Sequence, residues 1–409
     1  MHRLLVAALL LAACRGDRAP APTATKVLKD AGLDGPASRV SDVPALPRSD
    51  DGVAELHALD QRIEIAAEDT ARLVGLLLER AAIRGHALDY ERALAASAAL
   101  VKELPRDVTA LELRVKVLTA VHRFADARAA IAELAPLVFP VQLVELNVAL
   151  DEATGQSARA LEGRAKLAAE APTPQMITLY AGALARAGKF DEALAQLPKA
   201  IAGAARINTP RGTNWLYFQW GLIYEAKGDL AIARDHYLAA YARMPGSLET
   251  VEHLAGALAA TGDRERARRI VADAVADNPH PSLRALALEL ADKVEPSELA
   301  LVTAEWESYV KALPEAFADH AARFYLGVGK NPTRALELAR LNLANRDTLQ
   351  ARALVVDAAL AAGDPAGACA VVEPLLAGGT KAERFSAWKA LGACGRKGDA
   401  EKLARELGI

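Results

Sequence analysis

One pattern of large, small and aromatic residues returns along this chain after 34 residues, and this interval constrains the fold more than any other feature. In the stretch 217–245 the pattern consists of Tyr217, Trp220, Gly221, Tyr224, Ala233, Tyr237, Ala240 and Pro245. The same positions in the next copy hold Val251, Leu254, Ala255, Leu258, Ala267, Val271, Ala274 and Pro279. A period of roughly 20–50 residues is typical of solenoids, in which each unit packs against its neighbours.

The spacing resembles the tetratricopeptide repeat, whose units read W-x2-L-G-x2-Y and then A-x3-F-x2-A-x4-P. The resemblance implies two antiparallel helices per unit, joined by a short turn. Gly188, Gly228 and Gly262 fall at that turn, where a helix end in the left-handed region favours glycine. Small residues such as Gly221 and Ala233 let the two helices of a unit approach closely.

Weaker copies extend the pattern in both directions, and we expect about ten helix pairs between residues 74 and 409. The first part of the array covers 53–281, with a helix at about 53–80 that packs on the first unit. The pattern degrades over 282–348, and it returns over 349–409, which ends in a capping unit. Because the 52% of hydrophobic residues are mostly Ala and Leu, the composition favours helices. The sequence therefore predicts an all-α, right-handed α-solenoid.

The first fourteen residues combine a short start, His2 and Arg3, with an apolar run at 4–13 and then Cys14. This run is too short to span a bilayer and suits the core of a signal peptide. It ends in LAAC, which resembles the bacterial lipobox. The resemblance implies removal of residues 1–13 and acylation of Cys14, which would hold the mature protein on a membrane. The alternatives are an ordinary secretory signal with an incidental cysteine, or the plain amino terminus of a cytosolic protein.

The residues that follow Cys14 bear on location. An Asp after the lipobox cysteine would indicate retention at the inner membrane, and this chain has Arg15 there. We therefore favour the outer membrane, facing the periplasm. Residues 14–52 are rich in Pro, Ala, Asp and Ser and show no period. We expect them to form a flexible tether with a reach of about 35 Å.

Composition and motifs argue against several classes of function. A net charge of −3 over 409 residues gives no basic surface of the kind that nucleic acid requires. HExxH, CxxC and GxSxG are absent from the sequence, and no two histidines stand at i, i+4. We expect neither catalysis nor a cofactor or metal. The alternative is an enzyme with a site in 282–348, which would require clustered ionisable residues there.

Two further cysteines, Cys369 and Cys394, lie on helices that the repeat places side by side. In an oxidising compartment they could form a disulfide that ties down the C-terminal cap. Two small buried side chains are the alternative.

The resemblance also implies a groove lined by the first helix of each unit. Carried over to this chain, the groove positions are Gln175 and Arg186, then Trp215, Phe218, Leu222 and Glu225, then Glu249 and Glu252. Aromatic side chains on a groove are suited to anchoring a partner. Trp215 and Phe218 either serve this purpose or are covered by the insertion at 203–213.

Together these features predict a membrane-anchored, non-catalytic scaffold or assembly factor of the bacterial envelope. Its partner would be an envelope protein or peptide segment held in the groove. A helical lipoprotein that binds a small ligand or glycan is the alternative, although aromatic residues make up only 5% of the chain.

Overall fold

The computed structural model describes Val43 and residues 51–409, except 205, 206, 208, 377 and 378. Every regular element in this part of the chain is a helix. Cys14, the predicted signal peptide and most of the predicted tether lie outside the described residues.

A single helix, α1 (Gly52–Ile65), comes first, and ten helix pairs follow it in the described residues. Five pairs form the first half: α2 (Thr70–Arg84) with α3 (Ala87–Glu103), α4 (Val108–Ala120) with α5 (Phe124–Leu134), α6 (Pro140–Ala153) with α7 (Ser157–Glu170), α8 (Pro174–Arg186) with α9 (Phe190–Leu194) and α10 (Leu197–Ala204), and α11 (Pro210–Lys227) with α12 (Leu230–Arg243). The expected number of pairs and the expected α-solenoid are confirmed.

Five pairs form the second half of the coil. They are α13 (Leu248–Ala260) with α14 (Arg264–Asp277), α15 (Pro281–Leu290) with α16 (Pro296–Ala312), α17 (Pro314–Leu326) with α18 (Pro332–Asn345), α19 (Leu349–Ala361) with α20 (Pro365–Val371) and α21 (Glu373–Leu376), and α22 (Lys381–Ala393) with α23 (Lys397–Leu407). The region 282–348 thus keeps the helix-pair arrangement although its sequence departs from the repeat.

The expected helix at about 53–80 is wrong, because the chain breaks there into two helices. After α1 ends, Ala66–Glu68 form a short 3-10 turn, and Asp69 then caps α2 by accepting a hydrogen bond from the Arg72 N–H at 3.0 Å. An aspartate at this position satisfies a helix N-terminus that would otherwise lack a partner.

The small residues of the repeat act as the spacing predicted. A Cβ atom at Gly221 would collide with the ring of Tyr237, which is fully buried between α11 and α12. Gly228 ends α11 with φ at 97°, a conformation that side chains disfavour.

The solenoid coils back onto itself. Gly52 lies against the backbone carbonyl of Arg243, and Gly155 lies against that of Asp347. Arg84 pairs with Asp277, and Asn278 Nδ2 donates to the carbonyl of Arg84 at 3.0 Å. Because these partners lie 191 to 194 residues apart, one turn of the coil takes about 192 residues, or between five and six helix pairs.

We call this line of contacts the seam. On the first turn the seam uses the start of α1 and the loops inside pairs, and on the second turn it uses the loops between pairs. His122 Nδ1 lies 3.0 Å from the carbonyl of Glu315, and the Asn345 amide donates to the carbonyl of His122 at 2.9 Å. The loops between pairs on the first turn therefore lie on the opposite, free edge of the coil.

Candidate functional site

The predicted groove positions lie on three consecutive first helices, α8, α11 and α13, and they differ widely in exposure. Gln175, Arg186 and Glu249 are exposed, whereas Trp215, Leu222, Glu225 and Glu252 are half-buried and Phe218 is 5% exposed. The groove therefore presents a polar surface interrupted by a partly accessible tryptophan and leucine.

Phe218 packs into the space between α11, α12 and α13. Its ring centroid lies 5.7 Å from that of Tyr237 and 5.3 Å from that of His253, which meets it edge-on. Trp215 packs against the same hydrophobic core, and so does Ile207 from the segment before α11. Phe218 is thus a core residue, while Trp215 keeps part of its surface accessible.

Glu225 joins two helix pairs. Its Oε2 accepts hydrogen bonds from Tyr237 Oη at 2.5 Å and from His253 Nδ1 at 2.9 Å. Burial by itself lowers the pKa of His253, but the hydrogen bond and the negative charge of Glu225 outweigh burial and raise it. Burial by itself raises the pKa of Glu225, but the hydrogen bonds from His253 and Tyr237 together with the charge of His253 outweigh burial and lower it. The pair is therefore a structural contact between α11 and α13.

Arg186 is also committed to a neighbouring unit. Its guanidinium pairs with Glu152 on α6, and Glu152 also binds the buried Arg164 on α7. Of the predicted groove residues, Gln175, Trp215, Leu222 and Glu249 remain most accessible to a partner.

Glu249 and Glu252 face a cavity of about 140 Å³ where the two turns of the coil meet. Side chains from the other lining helices include Tyr90, His122, His280, Ser282, Phe317 and His320. Burial raises the pKa of Glu252, and the positive field of His320 opposes this only in part. The sequence analysis missed these lining residues, because no 34-residue pattern brings α3, α4, α15 and α17 to one place.

Two of the histidines at this cavity, His122 and His280, make contacts across the seam. His280 Nε2 lies 3.2 Å from the carbonyl of Gly85, and its Nδ1 accepts from the Ser282 N–H at 3.2 Å. Burial, with the charge of His320, lowers the pKa of His280 to about 3. Burial and the charge of Arg346 lower the pKa of His122 to about 4. Both rings are held in their neutral form at neutral pH.

The described residues were also searched for a metal-binding cluster and for a membrane-spanning helix. Among the described residues, no three His, Cys, Asp or Glu side chains are grouped so that they could hold a metal ion. None of the helices described has the length and apolar character needed to cross a bilayer.

Cys369 on α20 and Cys394 at the end of α22 are joined by a disulfide, with their Cα atoms 5.8 Å apart. The bond links the last two helix pairs, which corresponds to the first of the two alternatives that the sequence left open for these cysteines.

Comparisons with known proteins find a curated sequence relative and several solved structures of low similarity. No family model matches the chain. Cellulose synthase operon protein C of Pseudomonas fluorescens (strain SBW25) is 29% identical over 193 residues, which cover 46% of this chain and 15% of that protein. The chain thus spans less than a fifth of the length of this curated relative.

Similar solved structures share little sequence with this chain. The Cut9–Hcn1 structure matches with 15% identity and a TM-score of 0.42, over 74% of this chain and 59% of the other. Human IFIT1, solved as a dimer with PPP-AAAA, gives 15% identity and a TM-score of 0.40, over 88% and 95%. Yeast Tom70 is 11% identical with a TM-score of 0.33, and the match covers 85% of this chain and 97% of Tom70. By its own geometry and repeat, this chain is an all-α solenoid of tetratricopeptide-like helix pairs.

Proposed function

We propose that this protein is a membrane-anchored, non-catalytic interaction scaffold of the bacterial cell envelope. The observation that carries the proposal is the fold itself, a two-turn solenoid with a continuous series of first helices. Solenoids present long surfaces to extended ligands, and a protein partner is the ligand class that such a surface suits.

The partner would contact the accessible side chains of α8, α11 and α13. Gln175 and Glu249 offer hydrogen-bond acceptors, and Trp215 and Leu222 offer apolar area between them. Since the Glu249 carboxylate is exposed, a segment with a basic residue and an apolar neighbour fits this surface best. Phe218 and Glu225 would support the surface from below, because both are engaged with His253.

The anchor rests on the lipobox-like sequence that ends at Cys14. A lipid anchor would confine the solenoid to a membrane surface and so raise its effective concentration near a membrane partner. The outer membrane, facing the periplasm, remains the favoured location. A second candidate function is binding of a small ligand in the cavity beside Glu252, which the convergence of side chains from both turns favours.

Site-specific photo-crosslinking in native envelopes tests the scaffold. A photoreactive phenylalanine at Gln175 or Glu249 should capture a discrete protein, whereas one at Leu341, an exposed residue on α18, should not. Glu249→Arg should reduce capture by the Gln175 probe. Equal capture from all three positions would contradict a defined groove.

Lipidation is tested separately. Radiolabelled palmitate should enter the wild-type chain and not Cys14→Ala, and only the wild type should remain with the membrane after a high-salt wash. A soluble wild-type protein without label would overturn the anchor and leave the scaffold standing.

A further inference from the structure

The cavity of about 140 Å³ between the two turns of the coil is lined by acidic side chains without basic ones. Glu249 and Glu252 both face it, and none of the described residues that line it is a Lys or an Arg. In the part of the chain that the structure describes, neither of these glutamates forms a salt bridge. By contrast, Glu152 and Glu225, on other first helices, are each paired with a neighbouring unit.

The histidines at the cavity do not balance this negative charge. His122 and His280 are neutral at neutral pH, because burial lowers their pKa values to about 4 and about 3. His320 is exposed and is the remaining basic side chain of the lining. Even with His320 protonated, the lining would hold one positive charge against two carboxylates. A cation that enters this space would therefore be attracted to it.

The polar groups that line the cavity are hydrogen-bond acceptors. Glu249 and Glu252 stand on one face of α13, since residues three apart on a helix are neighbours. Ser282 donates a hydrogen bond to Glu252 and so holds this carboxylate in place. The Tyr90 hydroxyl donates to the carbonyl of Ala81 at 3.3 Å, which leaves its oxygen lone pairs able to accept. A ligand with several N–H donors complements such a set.

The rest of the lining is narrow and apolar. Tyr90 from α3 and Phe317 from α17 meet edge-on, with ring centroids 6.2 Å apart. Ala82, Ala120 and Leu248 add further apolar surface. An alkyl stem fits between such walls, and organic cations are attracted to aromatic rings. A primary ammonium is a compact charge with three donors, whereas a guanidinium is a wider planar fork, so the small volume favours the ammonium.

We infer that this cavity binds an alkylammonium group, with Glu249 and Glu252 as its counter-charges, and that a lysine of the partner segment supplies the group. The inference rests on the scaffold function proposed above. Glu249 is exposed in the groove and also faces the cavity, so a segment that lies on α11 and α13 can place one side chain between the turns. A free small amine has the same chemistry, and the experiments below distinguish the two sources.

Titration of the purified full chain with n-butylamine, followed by ligand-observed NMR, tests the cavity itself. Butylamine should bind, and n-butanol, which has the same stem without the charge, should not. Glu252→Gln should weaken butylamine binding about tenfold, because it removes a charged hydrogen-bond acceptor and keeps the shape. Glu401→Gln, at an exposed position on α23, is the matched control and should bind as the wild type does.

A second variant tests the same space by volume. Ala82 lines the cavity and is exposed, so Ala82→Leu should fill part of the space and block butylamine without lowering the temperature of unfolding. Unchanged binding in both Ala82→Leu and Glu252→Gln would place the amine elsewhere and overturn the inference.

Selection of phage-displayed random peptides on the same full chain tests the source of the ammonium. Peptides selected on the wild type should share a lysine beside an apolar residue. This preference should be lost on Glu252→Gln and kept on Glu401→Gln. Trp215→Ala should weaken the selected peptides and leave butylamine binding unchanged, since Trp215 lies in the groove and not at the cavity. A preference for arginine over lysine would overturn the choice of an ammonium.

The outcomes separate this inference from the scaffold. If butylamine binds but the selected peptides show no lysine preference, the source is a free amine and the partner lysine is overturned. If peptides bind through Trp215 without a lysine and butylamine does not bind, the cavity inference is wrong and the scaffold stands. If neither peptides nor butylamine bind, the cavity and the groove both fail.

Discussion

The side-chain amide of Asn345 donates a 2.9 Å hydrogen bond to the backbone carbonyl of His122, although 223 residues separate them along the chain. His122 in turn contacts the carbonyl of Glu315. A loop inside one pair is thereby held by two loops from the next turn. The solenoid is a closed coil along this line, with its tertiary stability shared between stacking of neighbouring pairs and contacts across the seam.

Removing the side-chain amide of Asn278 should weaken the seam. Asn278 is 3% exposed and donates to the carbonyl of Arg84, so Asn278→Ala should lower the free energy of unfolding by about 1–3 kcal/mol. Urea denaturation followed by tryptophan fluorescence measures the loss. Asn147→Ala is the control, since that amide bonds Leu143 within its own helix. Similar values for the two variants would argue against a stabilising seam.

Acid should loosen the seam through His122 and His280. Their pKa values in the folded protein, about 4 and about 3, lie below the ordinary value of 6.5, so the unfolded chain binds the protons first. Stability should be full above pH 6.5 and should fall as the pH drops from 6.5 towards 4, by up to about 1.4 kcal/mol per pH unit for each ring. Denaturation at pH 7.5, 6 and 5 measures the slope.

His280→Gln provides the comparison for this titration, because its amide can still donate to Gly85 but carries no titratable proton. The variant should show a shallower decline between pH 6.5 and 4. His253 acts in the opposite sense, since its raised pKa gives stability that is present below pH 6.5 and is lost as the pH rises. If the slope of stability against pH is the same in His280→Gln as in the wild type, His280 does not contribute to the loss of stability in acid.

The disulfide should stabilise the C-terminal cap. Cys369 and Cys394 close a loop with a sequence separation of 25, for which chain entropy predicts a contribution of about 3 kcal/mol. The double variant Cys369→Ser, Cys394→Ser should have a free energy of unfolding in urea that is lower by about this amount. The denatured wild type should show no reactive thiol at these positions without reductant, and two labelled thiols there would exclude the bond.

Phe218 should behave as a core residue. Since it is 5% exposed, Phe218→Ala should cost about 3–5 kcal/mol, whereas Gln175→Ala on the exposed surface should cost less than about 0.5 kcal/mol. Thermal and urea unfolding of the two variants give the comparison. If Phe218→Ala is as stable as the wild type but captures less partner, Phe218 is a binding anchor and not a core residue.

The sequence predicted whatever depends on contacts within one pair. Gly228 and Gly262 both take the left-handed conformation at a turn, with φ at 97° and 93°. Gly221 faces Tyr237 across the pair. These relations recur every 34 residues because each unit solves the same local packing problem.

The seam and the state of the groove could not be predicted in the same way. Asn278 and His122 look like ordinary loop residues. The contact of Asn278 with Arg84 and that of His122 with Asn345 depend on small rotations that accumulate over more than five units. Phe218 and Glu225 stand at groove positions of the repeat, but His253 from the next unit occupies the space beside them. A single histidine, outside the repeat pattern, thus decides what part of the groove stays open.

The closed turn also limits how such a protein can change in length. An open solenoid can gain or lose whole units by duplication, since each new pair meets equivalent neighbours. Here, adding one pair between Gly155 and Asp347 would move every later loop of the second turn away from the loop that it contacts on the first turn. Descendants of this chain should therefore vary at the free edge and at the two ends, and should keep constant the number of residues between the matched loops.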